Sequence, residues 1–232
     1  MEIKVIASGS SGNCTAISTG NAIILLDAGI GYKKIQPALK HENPAAALIT
    51  HEHGDHAKLE TIQKLLDSAV EVYMTEGTAE KLQLEEIYNL HLIRDAESFE
   101  VAGLDILSIA SMHDAVEPVN YVLSSRKESI WYITDDGDFS EAFYQVAPPT
   151  KIIIEANHDP MKVRTDFGID NKQVRRILTY HASILKTADF LSKIDRSKLQ
   201  EVHLIHISKR HGDKAAFKEL IHSRINVPVY AH

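Results

Sequence analysis

Four potential metal ligands occupy six consecutive positions, His51-Glu52-His53-Gly54-Asp55-His56, directly after an apolar run at 46–50. An extended strand cannot aim four neighbouring side chains at one spot, because successive residues face opposite sides. The chain must therefore leave its strand here and turn. His51 and His53 alternate and can point the same way, while a sharp turn at Gly54 is expected to bring Asp55 and His56 to a second ion close by. Imidazole nitrogen with carboxylate oxygen suits zinc, manganese or iron, and no thiolate is offered. With 13 histidines in the chain, accidental clustering has to be weighed. The pattern H-x-H-x-D-H arises by chance in roughly 2–3 sequences per thousand of this composition, which favours metal binding. Position 55 is aspartate, so the H-E-x-x-H helix of zincin proteases is not available.

The rest of the chain predicts an α/β protein. Strands are expected at 2–7, where the pattern alternates, and at 14–19 and 22–27, the last two joined by a Gly20-Asn21 hairpin turn. The Gly-Ser stretch Ser8-Gly9-Ser10-Ser11-Gly12-Asn13 reads as a tight loop whose amides can face a ligand. Further strands are expected at 46–50, 70–75, 98–101, 104–110, 119–125, 129–134, 151–155 and 201–207. Helices are expected near 35–41, 59–68, 78–84, 171–179, 183–194 and 213–223. Strands lead each half, helices follow, and no Pro/Gly/Ser linker intervenes, so residues 1–232 are read as one α/β domain with two sheets packed inside helices. A single cysteine, Cys14, excludes an internal disulfide and, with no apparent signal peptide, predicts a cytoplasmic protein. No apolar run approaches the ~20 residues of a membrane span.

Two ions need more ligands than one loop supplies. His113 sits just past a predicted strand, Asp135 ends another, and His206 lies in a third. One such residue alone is more often a cap or a surface group. Three of them, at strand ends of an α/β chain that already carries a ligand cluster, fit the tendency of α/β sheets to assemble sites at the carboxyl ends of their strands.

The order His-x-His-x-Asp-His, His113, Asp135 within Tyr132-Ile133-Thr134-Asp135, and His206 resembles the metallo-β-lactamase superfamily along nearly the whole chain. The Ser8 to Asn13 loop, Leu48-Ile49-Thr50-His51-Glu52-His53, His113-Asp114-Ala115 and Glu155-Ala156-Asn157-His158-Asp159 resemble the YycJ-type (WalJ) exonuclease branch. Ile205-His206-Ile207-Ser208 is similar to ribonuclease Z. The resemblance implies a four-layer αββα sandwich and two divalent ions, zinc or manganese. His51, His53 and His113 would hold one ion, Asp55, His56 and His206 the other, and Asp135 would bridge them. Asp27 would support the loops from behind.

The resemblance also implies a hydrolase using a metal-bridging hydroxide, which Asp55 would orient and deprotonate. His181 matches a catalytic position of the ribonuclease Z pattern, with Ser183 beside it for phosphate. Asn157 and His158 are further candidates for the cleft, and Glu155 for buttressing a metal-binding histidine. In the YycJ-type branch Gly-His-Leu-Ser-Asn stands where this chain has Tyr180-His181-Ala182-Ser183-Ile184, so the histidine and serine are present and the asparagine is not. The expected activity is phosphodiester hydrolysis by a DNA exonuclease or related nuclease. The alternative is hydrolysis of a small ester, lactone, thioester or cyclic phosphate. A net charge of −7 opposes long-range attraction to nucleic acid, so basic pairs such as Lys33-Lys34, Arg175-Arg176 and Lys209-Arg210 would have to supply local contacts.

Overall fold

The computed structural model describes residues 1–84 and 87–232. Its N-terminal alternation folds back on itself: β1 (Glu2–Ala7) pairs antiparallel with β2 (Cys14–Ser18), which pairs antiparallel with β3 (Ile23–Leu26) across the Gly20-Asn21 turn. Next, β4 (Ala46–Leu48), β5 (Glu71–Thr75) and β6 (Leu90–Ile93) each add parallel to the strand before, completing a sheet in the order β1-β2-β3-β4-β5-β6. Parallel neighbours require crossovers. Helices α1 (Tyr32–Ala38), α2 (Leu59–Asp67) and α3 (Glu76–Lys81) occupy those connections.

Helix α2 turns Ile62, Leu65 and Leu66 inward, where they join Ile35 of α1 and Leu25, Ala47, Val72 and Met74 of the sheet in one buried cluster. Each fully buried aliphatic side chain contributes about 1.5–3 kcal/mol. Ile24, Leu26, Ala46 and Leu48 on the opposite face are buried too. That explains why β3 and β4 read as continuous apolar runs instead of alternating. This first compact unit comprises Met1–Ala110 and Ala115–Tyr121. It includes the hairpin of β7 (Ser98–Val101) and β8 (Leu104–Ala110), whose turn residues Ala102 and Gly103 both have positive φ, as a two-residue turn requires.

β9 (Val119–Ser124) spans the boundary to the second unit, Ser111–Asp114 with Val122–His232. There β10 (Ser129–Ile133), β11 (Lys151–Glu155), β12 (Glu201–Ile205) and β13 (Val229–Ala231) run parallel side by side. Helices α4 (Pro160–Arg164), α5 (Asn171–Tyr180) and α6 (Ile184–Lys193) fill the connection from β11 to β12, and α7 (Lys214–Ile225) the one from β12 to β13. Helix α6 buries Ile184, Ala188, Phe190 and Leu191, with the Phe190 ring 4.6 Å from that of Phe139. In contrast, α5 has no fully buried residue. Among the described residues no helix is long and apolar enough to cross a membrane.

The expected strands and helices occur within three residues of their expected ends, and four short elements go beyond expectation, among them a 3-10 turn at Glu141–Tyr144. β6 and β13 are edge strands of four and three residues, too short for a periodic signal. The five-residue α4 is marked only by its N-terminal chemistry, with Asp159 accepting from Met161 N and Pro160 in the first turn.

In-register parallel strands end side by side. Leu26 lies opposite Leu48, Ile133 opposite Ile154, and Glu155 opposite Ile205. The chain then turns abruptly at Asp27, Asp135 and His206, with φ of 61°, 46° and 52°. Left-handed backbone at a non-glycine residue costs on the order of 1 kcal/mol or more, and such strain gathers at functional sites.

The loop after β4 shows where a missing side chain matters. Asn13 N donates to Asp55 O (2.7 Å), Ala28 N to His56 O (2.8 Å) and Gly29 N to Asn13 O (2.9 Å). A Cβ on Gly29 would lie 1.7 Å from Asp55 O. The turn itself is closed by His56 N and Ala57 N, both donating to His53 O. Gly54 is exposed, has open space at its Cβ position and no positive φ. Contrary to expectation, the turn does not depend on Gly54; the glycine this loop needs is Gly29. Gly29→Ala is therefore expected to lower the unfolding free energy by about 1–3 kcal/mol, the usual cost of overpacking. Gly54→Ala should stay within about 0.5 kcal/mol of wild type. Urea unfolding of both variants checks this, and equal midpoints for the two would refute the close approach.

Candidate metal centre

In the first unit, β3 and β4 deliver Asp27 and Thr50 to adjacent positions. Thr50 N and Thr50 Oγ1 both donate to Asp27 Oδ1 at 2.9 Å, and Asp27 Oδ2 lies 2.7 Å from His56 Nδ1. Thr50 Oγ1, its proton given to Asp27, is 3.0 Å from His51 Nδ1. These partners accept, so both imidazoles carry their proton on Nδ1 and present the Nε2 lone pair to the site. Asp27, His51 and His56 are buried, while His53 and Asp55 are part-exposed. His51 Nε2 stands 3.2 Å from His53 Nδ1, and His56 Nε2 stands 3.7 Å from Asp55 Oδ2. Asn13, whose Oδ1 accepts from Gly9 N, places its amide 2.9 Å from His56 Nε2. The Gly-Ser loop thus meets the histidines through an asparagine side chain.

In the second unit the hub is Glu155, at the end of β11 and wholly buried. Its Oε1 is 2.9 Å from His181 Nδ1 and 2.8 Å from His206 Nδ1, and its Oε2 accepts from Ala182 N (2.9 Å) and Asp136 N (3.2 Å). Burial pushes the Glu155 carboxyl up, but His181 and the bonds from His181 and His206 outweigh it and hold the group below its ordinary range. Asp135 Oδ1 lies 2.7 Å from His206 Nδ1, and Asp135 Oδ2 lies 3.3 Å from His113 Nε2. His113 donates from Nδ1 to Tyr180 O at 3.0 Å, so its Nε2 carries the lone pair that faces Asp135. Burial lowers the His113 pKa and favours this neutral form. Ser111 Oγ donates to Asp135 O, and Gly137 N to Met112 O, which fastens the His113 segment to the end of β10.

Asp135, Glu155, His181 and His206 are all buried and converge within metal-ligand reach of one another. Burial works against the charged form of His181, yet Glu155 and Asp135 raise its pKa to about 9. Two buried carboxylates therefore create a field that favours a cation. In both units the donors are nitrogen and oxygen with lone pairs oriented by outer hydrogen bonds, and this fits a divalent metal ion.

The remaining candidates have structural neighbours as well. His181 caps the C-terminus of α5, and Ser183 caps α6, its Oγ accepting from Lys186 N at 3.2 Å. Asn157 Nδ2 donates to His206 O (2.9 Å). His158 is almost fully buried, and burial lowers its pKa to about 4, so it is neutral near pH 7. Arg210 is paired with Asp166 rather than presented freely, while Lys209 is exposed. Sequence reasoning missed Thr50 and Gly29. Thr50 carried a signal, a hydroxyl directly before the first candidate ligand; Gly29 carried none.

Comparison with known proteins places this geometry. Residues 23–207 match the model of a β-lactamase superfamily domain. The chain is 30% identical over 235 residues to exodeoxyribonuclease WalJ of Streptococcus pneumoniae, covering 94% of this chain and 84% of that one. It is 28% identical over 182 residues to exodeoxyribonuclease YycJ of Bacillus anthracis, covering 71% and 66%. In structure it is similar to the metallo-β-lactamase fold protein YhfI of Bacillus subtilis, with TM-score 0.74, 15% identity and coverage of 99% and 95%. A diphosphatase of the PhnP family superposes with TM-score 0.72, 15% identity and coverage of 99% and 93%. The family match runs from β3 to just beyond His206, the two sheets and their helices are those of the fold, and the chain belongs to the metallo-β-lactamase superfamily as a metal-dependent hydrolase.

Proposed function

We propose that this protein hydrolyses phosphodiester bonds of nucleic acid as a DNA exonuclease or related nuclease acting in the cytoplasm. Two divalent ions, zinc or manganese, would be held by His51, His53 and His113 and by Asp55, His56 and His206, with Asp135 shared. The observation that supports the metal assignment most strongly is the set of outer hydrogen bonds: Thr50, Asp27 and the Tyr180 carbonyl engage Nδ1 of His51, His56 and His113 and leave each Nε2 as a donor atom. The nucleic-acid reading rests on the 30% identity to WalJ over 94% of the chain. When bound, such ions neutralise charge developing on phosphoryl oxygens and lower the pKa of a coordinated water towards neutrality.

The chain's own groups supply the proton transfers. Asp55, part-exposed beside His56, orients and deprotonates the attacking water. His181, its Nδ1 bonded to Glu155, keeps a proton on Nε2 for the leaving oxygen. Ser183, whose Oγ accepts from the first turn of α6, retains its own hydroxyl proton for a phosphate oxygen. Asn157 aligns His206 through the bonds described above, and His158, neutral and buried, leaves the phosphate contacts to Ser183.

Metal analysis of the purified protein is expected to find two ions per chain, with Asp135→Ala losing one or both while its circular dichroism stays folded. Full metal content in that variant removes Asp135 from the site. His181→Ala should keep both ions but turn over phosphodiesters at least ~100-fold more slowly, the scale of a lost general acid. Unchanged turnover with a poor leaving group would leave His181 a purely structural role. The substrate class is tested with manganese- or zinc-loaded protein on end-labelled single- and double-stranded DNA, RNA and a small phosphodiester. Digestion of DNA from its ends is expected. Rapid cleavage of the small ester with DNA and RNA untouched would establish the small-molecule hydrolase instead.

A further inference from the structure

Phe167 is 99% exposed, on the loop between α4 and α5. Exposing a whole phenyl ring forgoes about 1.5–3 kcal/mol of burial, and a loose loop would be expected to fold it away. This loop is not loose. Asp166 accepts from Arg210 Nη2 (2.7 Å), is 2.7 Å from His211 Nε2, and accepts from Gly168 N (2.8 Å). Asp166 is thereby tied to the segment that follows β12 and Gly168 to Asp166, so the backbone on both sides of the outward ring is fixed.

Charge around it is opposite to that of the chain. Residues 160–176 hold five basic side chains, Lys162, Arg164, Lys172, Arg175 and Arg176, against two acidic ones, in a protein of net charge −7. Both acids are used internally, Asp166 as above and Asp170 as the N-cap of α5. Helix α5 buries no residue completely and is left with a basic, solvent-facing surface. Its far end leads to the site: Arg176 forms a two-point bond to Asp114, next to His113, and the helix finishes at Tyr180 and His181. Ten residues of helix span about 15 Å, roughly four or five nucleotides at the 3.4 Å spacing of a stacked strand.

We propose that Phe167 is a stacking platform for a base of single-stranded nucleic acid whose backbone runs along α5 towards His181. The inference rests on the nuclease reading and adds to it the surface that engages the strand away from the scissile bond. An aromatic face accepts any base, so the contact is independent of sequence, and Lys162, Arg164, Lys172 and Arg175 track the phosphates, Arg176 being engaged by Asp114. Among the described residues the other fully exposed aromatic is Tyr88 at 98%, which in sequence stands two positions after the pair Glu85-Glu86 rather than among basic residues. It serves as the control.

The test is fluorescence anisotropy with labelled oligothymidylates of 3 to 12 nucleotides, using metal-loaded protein at low temperature under single-turnover conditions. Phe167→Ala is expected to weaken binding of the 12-mer about five- to a hundredfold, the range for one lost base stack, while Tyr88→Ala binds as wild type does. The loss should fade for oligomers shorter than roughly four nucleotides. Phe167→Trp should restore affinity, and its indole fluorescence, set against the buried Trp131, should be quenched by the 12-mer. Wild-type protein that binds the 12-mer, together with a Phe167→Ala variant that binds equally well, overturns the platform alone and assigns the ring to a protein contact. Wild-type protein that binds no oligonucleotide overturns the nuclease reading and the platform with it.

Discussion

A carboxylate shut away from water costs several kcal/mol unless donors replace its hydration, and Glu155 is met by four of them. Two are imidazoles and two are backbone amides from separate segments, those at Ala182 and Asp136. One buried charge thus sets the rotation of His181 and His206 together with the path of the chain after β10 and before α6. The bonds are charge-assisted, each about twice as strong as a neutral one. Taking away the carboxylate would leave the donors unmet as well as the rings unheld. Asp27 has the same part in the first unit, fixing Thr50 and His56 through both its oxygens.

Such an arrangement makes ring orientation independent of any bound ion. His51, His56 and His113 each have an acceptor at Nδ1, so the tautomer that exposes Nε2 belongs to the folded protein itself. The conformational cost of organising the donors falls on folding and is not deducted from cation affinity.

Much of this could be read from the chain. Strand positions followed from apolar runs, and His51, His53, Asp55 and His56 announced themselves by spacing. His113, Asp135 and His206 stood out because each lies at or just past the end of a strand. What could not be read were relations between distant segments. The Gly29 approach to Asp55 is a matter of backbone packing with no periodic signature, and Gly54 drew attention only by lying between candidate ligands. The short edges β6 and β13 pair on one side and have no room to alternate. Arg210 looked available because Asp166 is 44 residues away in sequence.

The left-handed turns at Asp27, Asp135 and His206 carry a consequence for how such a site can change over generations. Aspartate, asparagine and histidine enter this backbone region several-fold more readily than other side chains, and β-branched residues scarcely at all. At Asp135 and His206, the two corners proposed as ligand positions, the main chain therefore limits the side chain before any metal does. A drift from aspartate to asparagine or histidine at these corners is conformationally mild. A switch to threonine or valine would have to rebuild the strand end. At those two positions the choice of donor is confined to what the strand ends allow.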